Sequence, residues 1–341
     1  MSSDCDFLLE NTDVVRRLLY LHPPFSFLKL KNEILVSKYV CVQVDFLARV
    51  AAYPKPDDKI RSTSFKVADD TQGRDLLHEL EVDGVDTSFM ACLLLSAGFP
   101  PMKPVELSES SLLSALNGAR IVYFDGILLE TALVVAHEAV KKNIPILMDA
   151  ERLKEGLDDL MKLADYVVCA APFPQAWTEA STIPKALVCM LLRLPTSKFV
   201  IVTLGKDGCI MLERCVDEDP SVEEVDVDKL LESLEMRKNG STHIPTCISS
   251  SVAKLHSKGI GTVCGRLYIG TAENIPASEL IDTTGAGDAF IGAVLYAICS
   301  NFAPEKMVCF AATVAASKCR ALGARSGLPY STDPCLASFM E

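Results

Sequence analysis

Short apolar segments alternate with amphipathic ones through the middle of the chain, and this alternation constrains the fold more than any other feature. Continuous apolar strands that are separated by helices indicate a parallel sheet covered on both faces. We therefore predict one α/β domain with a mostly parallel central sheet between two layers of helices. The predicted strands are 119–124, 144–148, 166–170 and 199–204, and the predicted helices are 130–142, 157–163 and 184–194.

The flanking regions extend this pattern at both ends. The pattern predicts strands at 39–50 and 262–270, a helix at 75–82, and two buried helices at 288–299 and 305–321. The acidic stretch 217–239 predicts a solvated insertion or loop. We expect residues 1–38 to be irregular, residues 39–330 to form the domain, and residues 331–341 to form a C-terminal tail.

Composition narrows the class of protein. The chain has 341 residues, a net charge of −12 and no basic stripe, which argues against a nucleic-acid binder. Its 13 cysteines form no CxxC pair, which argues against structural zinc or a disulfide framework. The acidic N-terminus does not resemble a signal peptide, and no apolar segment reaches the roughly 18 residues that span a bilayer. We predict a cytoplasmic protein that binds neither nucleic acid nor membrane.

The sharpest local feature is a glycine turn at 282–288, which reads Asp-Thr-Thr-Gly-Ala-Gly-Asp and leads into an apolar stretch. The glycines allow a tight turn with amide N–H groups facing one point, and the helix that follows adds the positive end of its dipole. Together these features suit a phosphate group. Asp288 lies where the helix begins and could accept a proton from an attacking alcohol. The short Gly-Ala-Gly string alone would favour a simple helix start.

The full string 282–290 resembles the C-terminal signature of the PfkB family of carbohydrate kinases. It is neither a Walker A loop nor the GxGxxG turn of a dinucleotide fold. The resemblance implies a ribokinase-like three-layer fold and transfer of phosphate from ATP, with Mg²⁺, to an alcohol group of a sugar or related molecule. Asp288 would be the general base, and Gly285, Ala286 and Gly287 would form the anion hole.

Further segments carry the same resemblance. The segment 202–209 looks like the strand and turn beside the nucleotide, with Thr203, Gly205 and Gly208 near the phosphates. Asp45 matches the family's sugar-binding aspartate. The segments 67–74 and 80–87 resemble a further family stretch that we interpret as architectural. The resemblance also implies a monovalent cation such as K⁺, which would lie near Asp282, Thr284 and the loop 323–327.

The sequence departs from the family pattern in three places, two of which concern binding of the molecule that accepts the phosphate. No Gly-Gly pair lies between Asp45 and Val67, and the stretch from Asp86 to Leu107 leaves no room for the lid strands. The Asn-x-x-Glu motif expected after 166–168 is also missing, because the chain reads Cys-Ala-Ala-Pro there. We therefore expect reduced or missing lid strands and a monomer or weak homodimer. A truncated gene model or a splice form is our hypothesis for the gaps.

The residues leave two functions open. The first is an ATP-dependent kinase that acts on a sugar, a nucleoside or a similar alcohol, as the complete turn at 282–288 favours. The second is a catalytically impaired protein of the same fold that binds nucleotide or a partner, as the missing acceptor segments favour. Fold similarity does not name the acceptor.

Overall fold

The computed structural model describes residues 26–29, 35–38, 104–126, 129–215, 223–238, 243–324 and 327–340. Within these residues a single sheet of eleven strands runs through the molecule. The strands are β1 (Ser26–Lys29), β2 (Leu35–Lys38), β3 (Ala119–Phe124), β4 (Ile146–Ala150), β5 (Tyr166–Ala170), β6 (Phe199–Thr203), β7 (Cys209–Arg214), β8 (Glu224–Asp226), β9 (Cys247–Ser249), β10 (Ala253–Ser257) and β11 (Gly261–Gly270).

The sheet has a parallel half and an antiparallel half. Strands β2 to β6 are parallel to one another and lie in chain order. From β6 the order continues through β7, β11, β10 and β8, and the β6–β7, β7–β11 and β11–β10 pairs are antiparallel. Strand β9 pairs with β11 beside this path. The carboxyl ends of β3 to β6 and of β11 therefore lie at the same edge of the sheet.

Helices cover both faces of the sheet. One core cluster joins the sheet to the helices that connect the parallel strands, and the other joins it to the two helices nearest the C-terminus. The described helices are α1 (Glu109–Leu116), α2 (Leu129–Lys141), α3 (Leu157–Met161), α4 (Pro172–Thr178), α5 (Ile183–Arg193), α6 (Val227–Glu235), α7 (Ala286–Cys299), α8 (Pro304–Lys318) and α9 (Ala337–Met340).

Strand β3 shows why two helical layers are needed. Its side chains alternate between the faces, so that Val122 and Phe124 pack on one cluster while Ile121 and Tyr123 pack on the other. All four are buried, because each face of the strand is covered by helices. The predicted α/β fold, with a mainly parallel region flanked by helices, is confirmed.

The predicted elements match the structure closely where the apolar pattern is strong. Strands β3 and β5 have the predicted bounds, and β4 lies two residues later than predicted. The expectation of a loop through 217–239 is wrong for its central part, which forms β8 and α6. Asp226 caps α6 by accepting N–H bonds from Asp228 and Lys229, and Val227 and Leu234 bury its apolar side.

The expected boundaries of the domain also change. Strands β1 and β2 fall within the segment 1–38 that we expected to be irregular, and β2 extends the sheet by pairing with β3. At the other end, Leu336 is buried and the Phe339 ring lies 5.5 Å from that of Phe310 in α8, so 334–340 packs on the domain rather than forming a free tail. The predictions for 39–103, including Asp45 and the lid, lie outside the described residues.

Arg214 at the end of β7 joins that strand to the C-terminus of α5. Its guanidinium donates to the backbone oxygens of Ser197 at 3.0 Å and Leu194 at 3.2 Å, and also to that of Leu191. Carbonyl groups at a helix C-terminus lack partners within the helix, and a cation interacts favourably with them. Burial lowers the pKa of Arg214 because it disfavours the charged guanidinium. The three carbonyl acceptors offset this cost of burial.

We predict that Arg214→Ala lowers the free energy of unfolding by about 2 kcal/mol, because three carbonyls lose a charged donor. Urea unfolding followed by the fluorescence of Trp177, the single tryptophan, measures the change. Arg237→Ala is the matched control, since the exposed Arg237 donates to Ser249 alone among the bonds described. Equal effects of the two substitutions would contradict this role of Arg214.

Candidate active site

Acidic side chains collect at the edge of the sheet where the parallel strands end. Asp125 follows β3, Asp149 lies near the end of β4, and Glu151 follows it. Ligands of open α/β sheets bind outside the carboxyl ends of the strands. We therefore expect a ligand-binding or catalytic site at this edge of the sheet.

The turn 282–288 is anchored to the C-terminus of α8. The backbone N–H groups of Ile281 and Asp282 both donate to the Cys319 carbonyl oxygen, at 3.0 and 3.2 Å. The Asp282 carboxylate accepts the N–H of Thr284 at 2.9 Å and that of Gly323 at 2.8 Å. These bonds hold the start of α7 against the loop that follows α8.

The Asp282 carboxylate is held in its charged form. Partial burial by itself would raise its pKa, but the hydrogen bonds from Thr284 and Gly323 and the nearby Lys318 charge outweigh burial and lower the pKa below its usual value. A charged Asp282 keeps both hydrogen bonds at neutral pH. The turn therefore keeps its shape without a ligand.

Gly285 makes the turn possible. Its φ of 76° lies in the left-handed region, and a Cβ atom there would lie 2.5 Å from the Cβ of Ala324. Both conditions favour glycine. The backbone then enters α7, where Ala289 N–H donates to the Gly285 carbonyl at 2.9 Å.

The first turn of α7 leaves two amide groups available. Among the described residues, no backbone carbonyl accepts the N–H of Gly287 or Asp288, whereas Ala286 N–H donates to Thr283. A Cβ atom on Gly287 would meet no atom within 4 Å, so the space beside it is open. Two free N–H groups at the positive end of a 14-residue helix suit an anion.

Asp288 belongs to the same helical turn and is half-buried. Its charge acts on a buried pair of side chains in β3 and β4, where the Tyr123 hydroxyl donates to Asp149 Oδ2 at 2.9 Å. Burial is the main reason that the pKa of Tyr123 and that of Asp149 are both raised well above their usual values, and Asp125 and Asp288 add to both shifts. The carboxylates of Asp125, which follows β3, and of Asp288 on α7 thus lie close enough to affect the buried pair at this edge of the sheet.

A cavity of about 210 Å³ lies beside this acidic group, at the ends of β3 and β4. Its lining combines carboxylates with two cations, Arg152 and Lys154, and Lys154 Nζ donates to the Gly126 carbonyl at 2.8 Å. Such a lining offers hydrogen-bond donors and acceptors to a polar ligand. The lining residues are Asp125, Gly126, Met148, Asp149, Ala150, Glu151, Arg152, Lys154 and Leu157.

The predicted nucleotide segment forms the turn between β6 and β7. Thr203 ends β6 and donates to the Cys169 carbonyl at 3.4 Å, and Gly205 begins a short 3₁₀ turn with φ of 59° in open space. Gly208 has φ of 91°, and a Cβ atom there would lie 2.0 Å from the Gly270 carbonyl oxygen. The requirement for glycine at 208 therefore comes from packing against β11.

The structure brings most of the predicted site residues to one edge of the sheet. Thr203, Gly205 and Gly208 lie at the carboxyl end of β6, and 282–288 follows β11, which ends beside them. Asp45 lies outside the described residues. The sequence reasoning missed Tyr123, Asp149 and the buried Lys318. The charged residues at the end of a predicted strand, in 148–152, could have predicted the cavity from the sequence. No local sequence pattern indicates that Lys318 is buried.

The described part of the chain contains no group of three or more His, Cys, Asp and Glu side chains that could hold a metal ion. A divalent ion at this edge would therefore need further ligands, such as nucleotide phosphates. Along the described helices, none combines the length and apolarity that crossing a membrane requires.

Comparison with known proteins agrees with this geometry. Residues 267–330, which include the turn, match the sequence model of the pfkB family of carbohydrate kinases. A protein of Agrobacterium tumefaciens assigned as a ribokinase is similar over 80% of this chain and 78% of its own, with 20% identity and a TM-score of 0.51.

Two further structures are similar to the same extent. An E. coli protein assigned as ribokinase II, in its apo form, has 17% identity and a TM-score of 0.52, over 77% of this chain and 78% of its own. A PfkB family carbohydrate kinase from Listeria grayi has 17% identity and a TM-score of 0.50, over 80% of this chain and 82% of its own.

These similarities define the class of protein. The chain has the ribokinase-like α/β fold. Its region 267–330 carries the sequence of the pfkB family of carbohydrate kinases, and the predicted resemblance is thereby confirmed.

The buried Asp149 generates a prediction about stability and pH. Because its pKa is raised on folding, the folded state binds a proton more tightly than the unfolded state. Its contribution to stability is therefore fully present below the unfolded pKa of about 3.9 and is lost as pH rises toward the folded value. Asp149→Asn removes the titrating group and keeps an oxygen to accept the Tyr123 bond. We expect it to be more stable than the wild type at neutral pH, with a difference that shrinks toward about pH 4.

Urea unfolding across this pH range, followed by Trp177 fluorescence, measures the difference between the two proteins. Asp159→Asn is the control, because Asp159 is an exposed carboxylate that pairs with Lys162. A loss of stability in Asp149→Asn at neutral pH would contradict the prediction.

Proposed function

We propose that the protein is a kinase that transfers the γ-phosphoryl group of ATP to an alcohol group of a sugar or nucleoside-like acceptor. The observation that carries the proposal is the pair of N–H groups of Gly287 and Asp288, which no backbone carbonyl of the described residues accepts and which lie at the start of α7, with open space beside Gly287. The pfkB match over 267–330 includes this turn.

The anion hole consists of backbone rather than cationic side chains. Gly285 provides the left-handed turn, and Ala286 and Gly287 begin the helix whose dipole points at the ligand. Because the amides are held by Asp282 and α8 before a ligand arrives, little reorganisation is needed when charge develops on the transferred group. The phosphates of ATP would bind here.

Asp288 is the proposed general base. It lies on the same helical turn as the two amides. Burial and then nearby carboxylates, Asp288 among them, raise the pKa of Tyr123 and that of Asp149, so Asp288 lies close to this pair. The base would accept the proton of the acceptor hydroxyl while the amides hold the phosphoryl group in line.

The cavity at the ends of β3 and β4 is the proposed acceptor site. Hydroxyl-rich molecules need several acceptors and donors together, and the cavity offers Asp149, Glu151, Arg152 and Lys154. The electrostatic effect of Asp288 on Asp149 supports proximity between base and cavity. The family's Gly-Gly segment, which is missing between Asp45 and Val67, is not part of this proposed acceptor site.

The other side of the phosphate site is proposed to be the turn after β6. Thr203 and Gly205 would contact the nucleotide, and Gly208 would support them by its packing on Gly270.

Mg²⁺ would neutralise phosphate charge when it enters with ATP. A bound K⁺ at Asp282 and Thr284 is not part of this proposal, because Lys318 already places a positive charge 2.7 Å from the Asp282 carbonyl oxygen. No disulfide joins the cysteines of the described residues, which fits the proposed cytoplasmic location.

We predict that Asp288→Asn lowers kcat by about 10²- to 10⁴-fold, because the base is removed. The assay is ATP turnover with Mg²⁺ against a panel of sugars and nucleosides. The variant should still show the increase in melting temperature caused by ATP, since the N–H groups are unchanged. Asp159→Asn, which changes an exposed carboxylate on α3, should keep full turnover.

The same assay decides between the two functions. ATP binding without turnover of any acceptor would favour the nucleotide-binding protein without catalysis. Equal turnover in Asp288→Asn and the wild type would exclude Asp288 as the base. The absence of both binding and turnover would overturn the kinase proposal.

We predict that Gly287→Ala separates stability from binding. Alanine at this helical position stabilises the fold by about 0.5 kcal/mol, since the added methyl group meets no protein atom. It occupies the space proposed for phosphate, so ATP affinity should fall by about tenfold or more. Gly285→Ala should lose both stability and binding, because its Cβ would clash with Ala324. Calorimetric titration with ATP and urea unfolding measure the two effects; unchanged affinity in Gly287→Ala would place the phosphate elsewhere.

A further inference from the structure

Lys318, the last residue of α8, is the one fully buried cationic side chain in the described part of the chain, with 0% exposure. Its ammonium group donates to the Asp282 carbonyl oxygen at 2.7 Å. The ion pairs of the described residues include no carboxylate within bonding distance of Lys318. A buried ammonium that lacks a direct anionic partner is costly, so its position calls for a physical reason.

The surroundings of Lys318 favour a positive charge. The residue ends a 15-residue helix, where the negative end of the helix dipole attracts a cation. Lys318 also acts on the Asp282 carboxylate, because burial raises the pKa of Asp282, and the bonds from Thr284 and Gly323 together with the Lys318 charge lower it further than burial raises it. A Cβ atom on Gly327 would lie 2.5 Å from the Lys318 carbonyl oxygen, so the following loop closes over the helix end.

The ammonium is attached to the turn that carries the proposed anion hole. It binds the backbone of Asp282, and Asp282 in turn holds Thr284 and Gly323 by its two carboxylate oxygens. The free N–H groups of Gly287 and Asp288 belong to the same short segment. Positive charge inside a protein is screened less than charge in water, so it can act along this segment.

A separate monovalent cation does not fit well at this position. Both carboxylate oxygens of Asp282 already accept a backbone N–H, and the Thr284 N–H is one of these donors. A second cation placed beside Asp282 would also lie near the Lys318 ammonium and be repelled by it. Asp282, one of the residues expected to bind a cation, therefore already binds a covalently attached one through its carbonyl oxygen.

We propose that Lys318 is a positioning residue that acts as a built-in monovalent cation for the anion-binding turn. The inference rests on the proposed phosphate site at Gly287 and Asp288. It implies that nucleotide binding by this protein is independent of K⁺. Removing the Lys318 charge creates a requirement for a small monovalent cation.

The test measures the rise in melting temperature caused by ATP with Mg²⁺, and separately by inorganic triphosphate. Each is measured in potassium chloride and in N-methylglucamine chloride at equal ionic strength. Wild-type protein should show equal shifts in the two salts. Lys318→Met should lose affinity by about tenfold or more in N-methylglucamine and regain it with K⁺ or NH₄⁺.

Two further variants separate charge from packing. Lys318→Arg keeps a positive charge and should bind in both salts. Lys306→Met makes the same chemical change in the same helix, where Lys306 lies over the Phe302 ring, and should match the wild type. If Lys318→Met does not fold, a wild-type shift that requires K⁺ would still overturn the proposal.

A wild-type shift that requires K⁺ would overturn the role of Lys318 and leave the proposed kinase intact. Salt-independent binding by folded Lys318→Met would do the same. If no ligand shifts the wild type in either salt, the phosphate site itself fails, and the role of Lys318 fails with it.

Discussion

The connection between Asp282 and the end of α8 is the interaction on which the site depends. Asp282 uses its two carboxylate oxygens to hold Thr284 and Gly323, and its backbone is held by Cys319 and Lys318. These bonds fix the direction from which the chain enters α7. Without them the Gly287 and Asp288 amides would have no defined orientation, since helix ends fray when their groups lack partners.

That connection in turn needs the two C-terminal helices to be rigid. Helices α7 and α8 share one core cluster with the face of the sheet that carries Ile121 and Tyr123. The rings of Tyr296, Phe302 and Phe310 contact one another at 5.5 to 6.0 Å within this cluster. The turn 282–288 thus rests on an apolar layer that excludes water, and the proposed site lies where that layer meets the ends of the strands.

Local sequence explains much of the fold. Strands β3 and β5 were predicted with their observed bounds because β5 is an uninterrupted apolar run and β3 is interrupted only by Arg120, and both strands are covered on both faces. The region 217–239 was misjudged because its charges outnumber the apolar residues, although α6 buries Val227 and Leu234 and also packs Leu230 and Leu231 on the core. Strand β7 was also missed. Its pairing with β6 is local, across the turn 204–208, whereas its pairing with β11 joins residues distant in the chain, which no local pattern encodes.

The sequence alone determined the turn, because glycine spacing, a following apolar helix and an aspartate at its start are local properties. It therefore singled out Gly285, Gly287 and Asp288 as candidate site residues without knowledge of the fold. Only the tertiary structure decided what surrounds them. The Tyr123–Asp149 pair, the cavity at the ends of β3 and β4, and the contact of Lys318 with Asp282 join residues 26 to 36 positions apart. Their chemistry depends on burial and proximity, and both of these properties arise only when the layers pack.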